Sequence, residues 1–249
     1  MGSVWHAGSG DEMGLAKSEI EIRKVQIGPV KCYLDAKDFL GDQYWLFFGI
    51  CFVAIILAGV VPIFVMGPAY AGMLLCMTMR ARGEQVTFET LFKGFDFYLP
   101  SLIVTLIYMG AAIVLAIPFI SMLIGGIALV AIENGRFILI GIPVVFLATA
   151  YWMIVLSILI MVYTFAICLV VDKKMDGWPA MAAATKGVWL NFFGVAGTSF
   201  VGQAVYFIGA MMCVIPGLLV TPIVFTGHFI AYWKIFGIRA SDTIVADVA

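Results

Sequence analysis

Charge is what this chain has least of. Asp, Glu, Lys and Arg make up 12% of its 249 residues, against about 25% in soluble domains. Hydrophobic residues make up 63% and the mean hydropathy is +1.10. No water-soluble core of this size needs so much apolar surface, so composition predicts an all-α polytopic membrane protein. The net charge is −1. With no basic face and no interleaved aromatics, no nucleic-acid partner is expected.

Reactive residues are equally scarce. The five cysteines, Cys32, Cys51, Cys76, Cys168 and Cys213, include no C-x-x-C pair. They read as small buried apolar side chains, with no metal site and no disulfide framework. Spacings such as H-E-x-x-H, G-x-S-x-G and the P-loop are missing, and no carboxylate pair or activated nucleophile takes their place. No catalytic residue is assigned, and the chain is expected not to be an enzyme. Residues 1–30 are polar, with Asp11, Glu12, Glu19 and Glu21 and no apolar run, so they read as a tail and not as a signal peptide. Met1-Gly2 is followed by His6 where a myristoylation signal needs Ser or Thr. Residues 239–249 read as a second tail.

Long apolar runs are abundant. A crossing needs about 20 apolar residues. Tyr44–Met79 is nearly twice that length and uncharged, so it must reverse, at GVVP (59–62). Phe192–Trp233 must also reverse, at VIPG (214–217). The runs Leu99–Ile132 and Phe137–Val171 exceed one upright span. Pro118, Gly125-Gly126 and Pro143 are expected to break them into spans plus apolar or re-entrant extensions. Six crossings follow, at about 44–61, 63–80, 98–120, 145–171, 192–214 and 216–236, within one domain over 31–238. Eight crossings are the alternative. Six spans would place every Lys and Arg except Arg136 on one side, so the positive-inside rule puts both termini in the cytoplasm.

Between spans lie amphipathic segments at about 31–41, 86–97 and 178–190. In GEQVTFETLFKGFDFYLP (83–100), Phe88, Leu91, Phe92 and Phe95 recur at helical spacing beside Lys93. Thr87 suits the N-cap, with Glu89 in the positive first turn. Such a helix lies in the membrane interface, with its Phe residues in the acyl boundary and Lys93 at the headgroups. Trp178 and Lys186 suit the same role in DGWPAMAAATKGVWLNFF, and Cys32, Ala36 and Phe39 share a face in the first segment. Gly94 and Gly187 are expected to let the chain bend into the next span.

One offset, 154, aligns Pro62 with Pro216, Pro68 with Pro222, Arg80 with Lys234, and Gly83 with Gly237. With Lys93-Gly94 echoed by Lys186-Gly187, this points to three parallel repeats, each an interfacial helix followed by a hairpin of spans. Pro68 and Pro222 read as matching helix breaks, the kind that marks a midplane site in transporters.

GPAYAG…RARGEQVTFETLFKGF, YTFAICLVVDKKMDGWPAMAAATKGVWLNF and PGLLVTPIVFTGHFIAYWKIFG resemble, together, a poorly characterised group of prokaryotic six-helix integral membrane proteins. These are domain-of-unknown-function families related to the membrane domain of glycerophosphoryl diester phosphodiesterases. The resemblance covers about residues 30–238. It implies the fold and a multi-pass place in the prokaryotic inner (cytoplasmic) membrane. It implies no substrate and no catalytic residues.

His228 is the one ionisable group well inside a span, and such groups mark function by default. Three roles are open: a ligand to haem, chlorophyll or a metal, a proton-sensitive switch, or a neutral imidazole bonding a neighbouring helix. Asn191, Gln203 and Thr221 read as bonds to other helices. Glu133 and Arg136 read as a solvated loop. Small residues recur as Gly194, Thr198, Gly202 and Ala210, as Ala112 and Ala116, and as Ala54 and Ala58. These stripes permit close helix approach, within the bundle or to a partner. Three functions remain open. The first is a non-enzymatic structural or accessory subunit, with the bilayer and other membrane subunits as partners. The second is a transporter or lipid-handling protein for an apolar or amphipathic cargo. The third is a cofactor protein built on His228.

Overall fold

A computed structural model describes residues 22–60, 62–132, 135–212 and 214–238. The two tails, His6, Glu133, Cys213 and Arg239 lie outside the described residues, wholly or in large part. Among the described residues the chain is helical, without strands, and six helices are long and apolar enough to cross a membrane.

After an extended segment at 22–28, α1 (Pro29–Leu40) starts with proline at its first position, where a missing N–H costs nothing. A 3-10 turn at Gly41–Gln43 joins it to α2 (Tyr44–Val60). Then come α3 (Pro62–Ala81), the 3-10 helix Phe88–Phe97, α4 (Tyr98–Ala131), α5 (Gly135–Lys173), α6 (Gly177–Leu190), α7 (Phe192–Met212) and α8 (Val214–Phe236). VIPG does not reverse the chain but forms the first turn of α8. Left-handed residues end the long runs: Gly83 (φ 74°) after α3, Lys174 (φ 54°) after α5 and Gly237 (φ 62°) after α8.

The middle runs are not broken. α4 continues for 34 residues through Pro118, and α5 for 39 residues through Pro143. Pro68 and Pro222 also lie inside continuous helices, so neither is a break. In a non-aqueous setting the groups freed by proline are re-satisfied locally and the helix is the only cheap conformation. Gly126 is likewise not a break. A Cβ there would lie 2.7 Å from Val145 Cγ2, and one on Gly141 would lie 2.8 Å from the Gly126 carbonyl oxygen. The pair lets α4 and α5 touch backbone to backbone. Phe119 stacks on Trp152 at 4.9 Å further along the same hairpin.

The second half of α5 is the axis of the bundle. Met161 and every residue from Tyr163 to Asp172 are buried, as a helix apolar all round must be. Met73, Leu74 and Met77 of α3, Phe47 and Ile50 of α2, and Phe229 and Tyr232 of α8 complete the core. The first half of α5 is as apolar but exposes Leu139, Ile140, Phe146 and Leu147.

The segment at 88–97 is helical, with Thr87 as its N-cap and the Thr87 N–H donating to Thr90 Oγ1 at 3.4 Å. Its period is 3.0 residues, not 3.6. At that period Phe88 lines up with Leu91 and Gly94, and Phe92 and Phe95 form a second row, so the expected single stripe divides. Leu91 and Gly94 face α3 and are buried, whereas Phe88, Phe92 and Phe95 are exposed, as is Lys93. Gly94 does not serve as a bend. It lies against Gly72 of α3, where a Cβ on either residue would overlap the other segment's backbone. Gly187 also serves contact, its face covered by the ring of Phe236.

α6 buries Gly177, Ala180, Ala184, Gly187 and Val188 and exposes Trp178 and Lys186. α1 buries Cys32, Tyr33, Ala36 and Leu40, in contact with α7 and α8. Arg80 caps its carboxyl end, donating to the carbonyl oxygens of Phe39 at 2.6 Å and Leu40 at 3.1 Å. Lys234, at the matching position of α8, donates to Asp35 at 2.8 Å. The two bases paired by the offset of 154 thus both anchor α1.

Candidate functional site: an intramembrane cavity at His228

Five helices each bring one polar side chain to nearly the same depth. Tyr70 of α3, Tyr108 of α4, Tyr163 of α5 and Gln203 of α7 lie 10 or 11 residues from the basic ends of their helices, and His228 of α8 lies eight from its own. At 1.5 Å per residue these are ~12–16 Å, near the middle of a hydrocarbon layer about 30 Å thick. All five line one cavity of about 440 Å³. Most of the remaining lining is apolar or small, including Met66, Ile160, Phe225 and Gly202, and among the described residues no Asp, Glu, Lys or Arg takes part. Tyr206, Phe207 and Ala210 line it too and are exposed on the outer side of α7. The cavity therefore opens sideways, on the exposed face of α7.

Most of these polar groups have partners. Tyr163 OH lies 3.2 Å from Thr105 Oγ1, and Tyr70 OH lies 3.4 Å from Thr164 Oγ1. Gln203 Nε2 donates to Ser157 Oγ at 2.7 Å. The rings of Tyr70, Tyr108 and Tyr163 pack at centroid distances of 5.0 and 4.7 Å, and Phe225 meets Tyr70 edge-on at 5.2 Å. His228 differs. It is 4% exposed, and among the described residues neither Nδ1 nor Nε2 has a hydrogen-bond partner. It does not bond a neighbouring helix, and the expectation of an imidazole satisfied in that way is corrected. Gly202 lies beside it, where a Cβ would lie 3.2 Å from Nε2 and would collide with the Tyr33 hydroxyl.

The small-residue stripe on α7 turns out to hold the chain's own beginning. A Cβ on Gly194 would lie 2.8 Å from Ile27, and one on Gly197 would lie 2.8 Å from Pro29. Tyr33 fills the notch at Gly202 and Gly227, and its hydroxyl donates to the Thr198 carbonyl oxygen at 2.6 Å. Asn191 holds the extended segment, accepting from the Val25 N–H at 2.8 Å and donating to the Arg23 carbonyl oxygen at 3.0 Å. Gln203 does bond another helix. Thr221 does not, because its hydroxyl returns to Gly217 of its own helix. Ala112 and Ala116 are half-buried on α4.

A second polar cluster escaped the sequence. Asp172 closes an apolar run and reads as part of a connecting loop, yet its side chain is fully buried. Arg82 Nη2 donates to it at 2.6 Å, Tyr232 OH at 3.1 Å, and Lys173 Nζ lies at 3.3 Å. The carboxylate ties the ends of α3, α5 and α8 together. Only the burial of neighbouring Leu169, Val170 and Val171 betrays it. The four described cysteines are buried and free. No group of three or more potential metal ligands occurs among the described residues.

Fold and site together describe a helical protein with the hallmarks of a multi-pass membrane protein and an uncharged cavity at mid-depth. In comparisons with known proteins, no family model, no curated protein and no solved structure matches the chain.

Proposed function

We propose that this chain is a non-enzymatic, multi-pass membrane protein that holds an uncharged amphipathic molecule within the bilayer, and so belongs to the lipid-handling or transport class. One observation carries this: five helices bring polar side chains to one depth around a cavity that opens on the exposed face of α7. Burying polar groups in hydrocarbon is costly, and a cavity lined by them is a binding site by default. The one-sided distribution of Lys and Arg supports cytoplasmic termini. The resemblance to prokaryotic membrane-domain families supports the inner membrane as its location. Three parallel repeats are supported by the shared left-handed ends at Gly83 and Gly237 and by the common docking of Arg80 and Lys234 on α1. The outward Phe88, Phe92 and Phe95, with Trp178 on α6, support interfacial seating of these segments.

The test is mass spectrometry of lipids retained by the purified protein. The native chain is expected to carry a defined neutral lipid in near-stoichiometric amount. Ala210→Trp, which plugs the exposed mouth, is expected to lower that lipid at least fivefold. A lipid profile that merely mirrors the membrane, equal in both proteins, would sink the proposal.

A second reading, a structural or accessory subunit of a membrane complex, has its own support. α4 and α5 are ~51 and ~58 Å long by helical rise, and their far halves expose Ile117, Ile124, Leu139, Ile140 and Phe146. Another subunit's helices would cover that surface. In native mass spectrometry from a mild detergent, that reading expects a larger assembly that Ile140→Arg dissociates. A monomer with bound lipid would count against it.

A further inference from the structure

Resting on the proposed lipid-holding role, we propose that the cavity takes a lipid of the quinone class: a flat, uncharged ring bearing oxygen, with an apolar tail. The ring oxygen hydrogen-bonds His228 Nε2, and the tail leaves between Phe207 and Ala210.

Three features narrow the ligand. Among the described residues no Lys or Arg lines the cavity, so a phosphate or carboxylate head would enter mid-bilayer without a fixed counter-charge, at prohibitive cost. Next, the walls are rings. Tyr70, Tyr108, Tyr163 and Phe225 form one contacting cluster, and Tyr206 and Phe207 stand at the mouth. Aromatic faces and edges favour a planar guest over a flexible acyl chain. Last, the buried imidazole of this lining lacks hydrogen bonds among the described residues. A neutral imidazole carries one N–H and one bare nitrogen, and both nitrogens of His228 are buried and unpartnered. The imidazole lines the cavity, with Gly202 and the Tyr33 hydroxyl beside Nε2. A ring carbonyl accepts there from an N–H, and a ring hydroxyl donates there to a bare nitrogen. Either oxidation state of a quinone head therefore finds its partner, and no redox step is implied.

An acyclic prenol or a diacylglycerol also offers an uncharged oxygen, but neither uses the ring walls. Exposed Tyr206, Phe207 and Ala210 lie along one stretch of α7, which provides an apolar exit for a tail without threading it through the bundle.

The experiment titrates decylubiquinone into the full chain in nanodiscs, with farnesol, dioleoylglycerol and oleate as parallel probes, and follows binding by quenching of intrinsic fluorescence and by native mass spectrometry. Decylubiquinone is expected to bind saturably, one per chain, and at least about tenfold more tightly than the other three. Loss of a buried hydrogen bond is worth about one factor of ten, so His228→Leu should weaken binding about tenfold. His228→Gln, which keeps a donor and an acceptor, should stay within about threefold of native. In the absence of ligand, His228→Leu should melt no lower than native, since it removes two unsatisfied buried nitrogens. A histidine that served packing alone would leave affinity unchanged. Equal quinone affinity in native and His228→Leu protein overturns the assignment. Preferential binding of farnesol, dioleoylglycerol or oleate overturns the quinone class, and for the first two leaves lipid holding intact. If no probe binds and purified protein carries no defined lipid, both proposals fall.

Discussion

Gly72→Val is expected to abolish recovery of folded, monodisperse protein. The 3-10 helix at 88–97 lies on α3 with Gly94 against Gly72, and any Cβ on Gly72 would overlap the carbonyl oxygen of Leu91. That atom is backbone, so no rotamer change relieves the clash. The segment must lift off α3, which uncovers buried Leu91 and the α3 surface beneath it. Ordinary overpacking costs about 1–3 kcal/mol. Backbone against backbone belongs with the exceptional losses, more than about 4 kcal/mol. Gly125→Val is the matched control, since nothing lies within 4 Å of the position where its Cβ would be. Size-exclusion profiles and thermal midpoints in detergent should show a normal peak for the control and aggregate or no peak for Gly72→Val. Comparable profiles for the two would mean that this glycine contact does not hold the structure.

Asp172→Ala is expected to be the most destabilising loss of a single polar group. The carboxylate is fully buried and Arg82 is 24% exposed. Breaking a buried pair by removing one partner costs about 3–5 kcal/mol, and partial solvation of Arg82 argues for the lower end, about 3 kcal/mol. In a chain of this size that corresponds to a fall of ~6–12 °C in melting temperature. Tyr232 also loses its acceptor, so Tyr232→Phe should cost about 1 kcal/mol by itself. Replacing both ions with apolar residues of similar size, Asp172→Leu with Arg82→Met, should cost less than Asp172→Ala, because no charge is then left buried. A double variant as unstable as Asp172→Ala would show that the cluster acts through packing and not through its charge pair.

The amphipathic segment at 88–97 shows where periodicity stops informing. Phe88, Leu91, Phe92 and Phe95 mark a helix, and a helix is there. Which of them face the bundle is set by where the segment meets α3 at Gly72: Leu91 is buried there, while Phe88, three residues before it, is exposed. Prolines show the same limit. Pro68, Pro118, Pro143 and Pro222 are all local breakers, and all four sit inside continuous helices. Propensity in water does not carry over to an apolar setting where an unravelled turn has nothing to bond with. Gly126 reads as a break and is a contact, for glycine supplies both freedom and closeness and only a neighbour shows which.

The site was legible in one residue of five. His228 stands out because imidazole is rare in apolar runs. Tyr70, Tyr108 and Tyr163 do not, because tyrosine is common there and each run holds only one or two of them in view. Their shared distance from the basic helix ends is written in the sequence, but it acquires meaning only when the five helices are seen to stand side by side. Asp172 was invisible for the opposite reason: a carboxylate next to two lysines looks solvated until Arg82 arrives from 90 positions away.

By itself the sequence determined that the chain is helical, apolar along six long segments and biased in its charge, because these properties follow from composition and run length alone. Tertiary structure alone decided which half of α5 is core and which faces outward, that α7's small residues seat the chain's own first helix, and that one histidine is left without a partner. Burial and pairing are properties of two surfaces meeting, and a single run of residues contains only one of them.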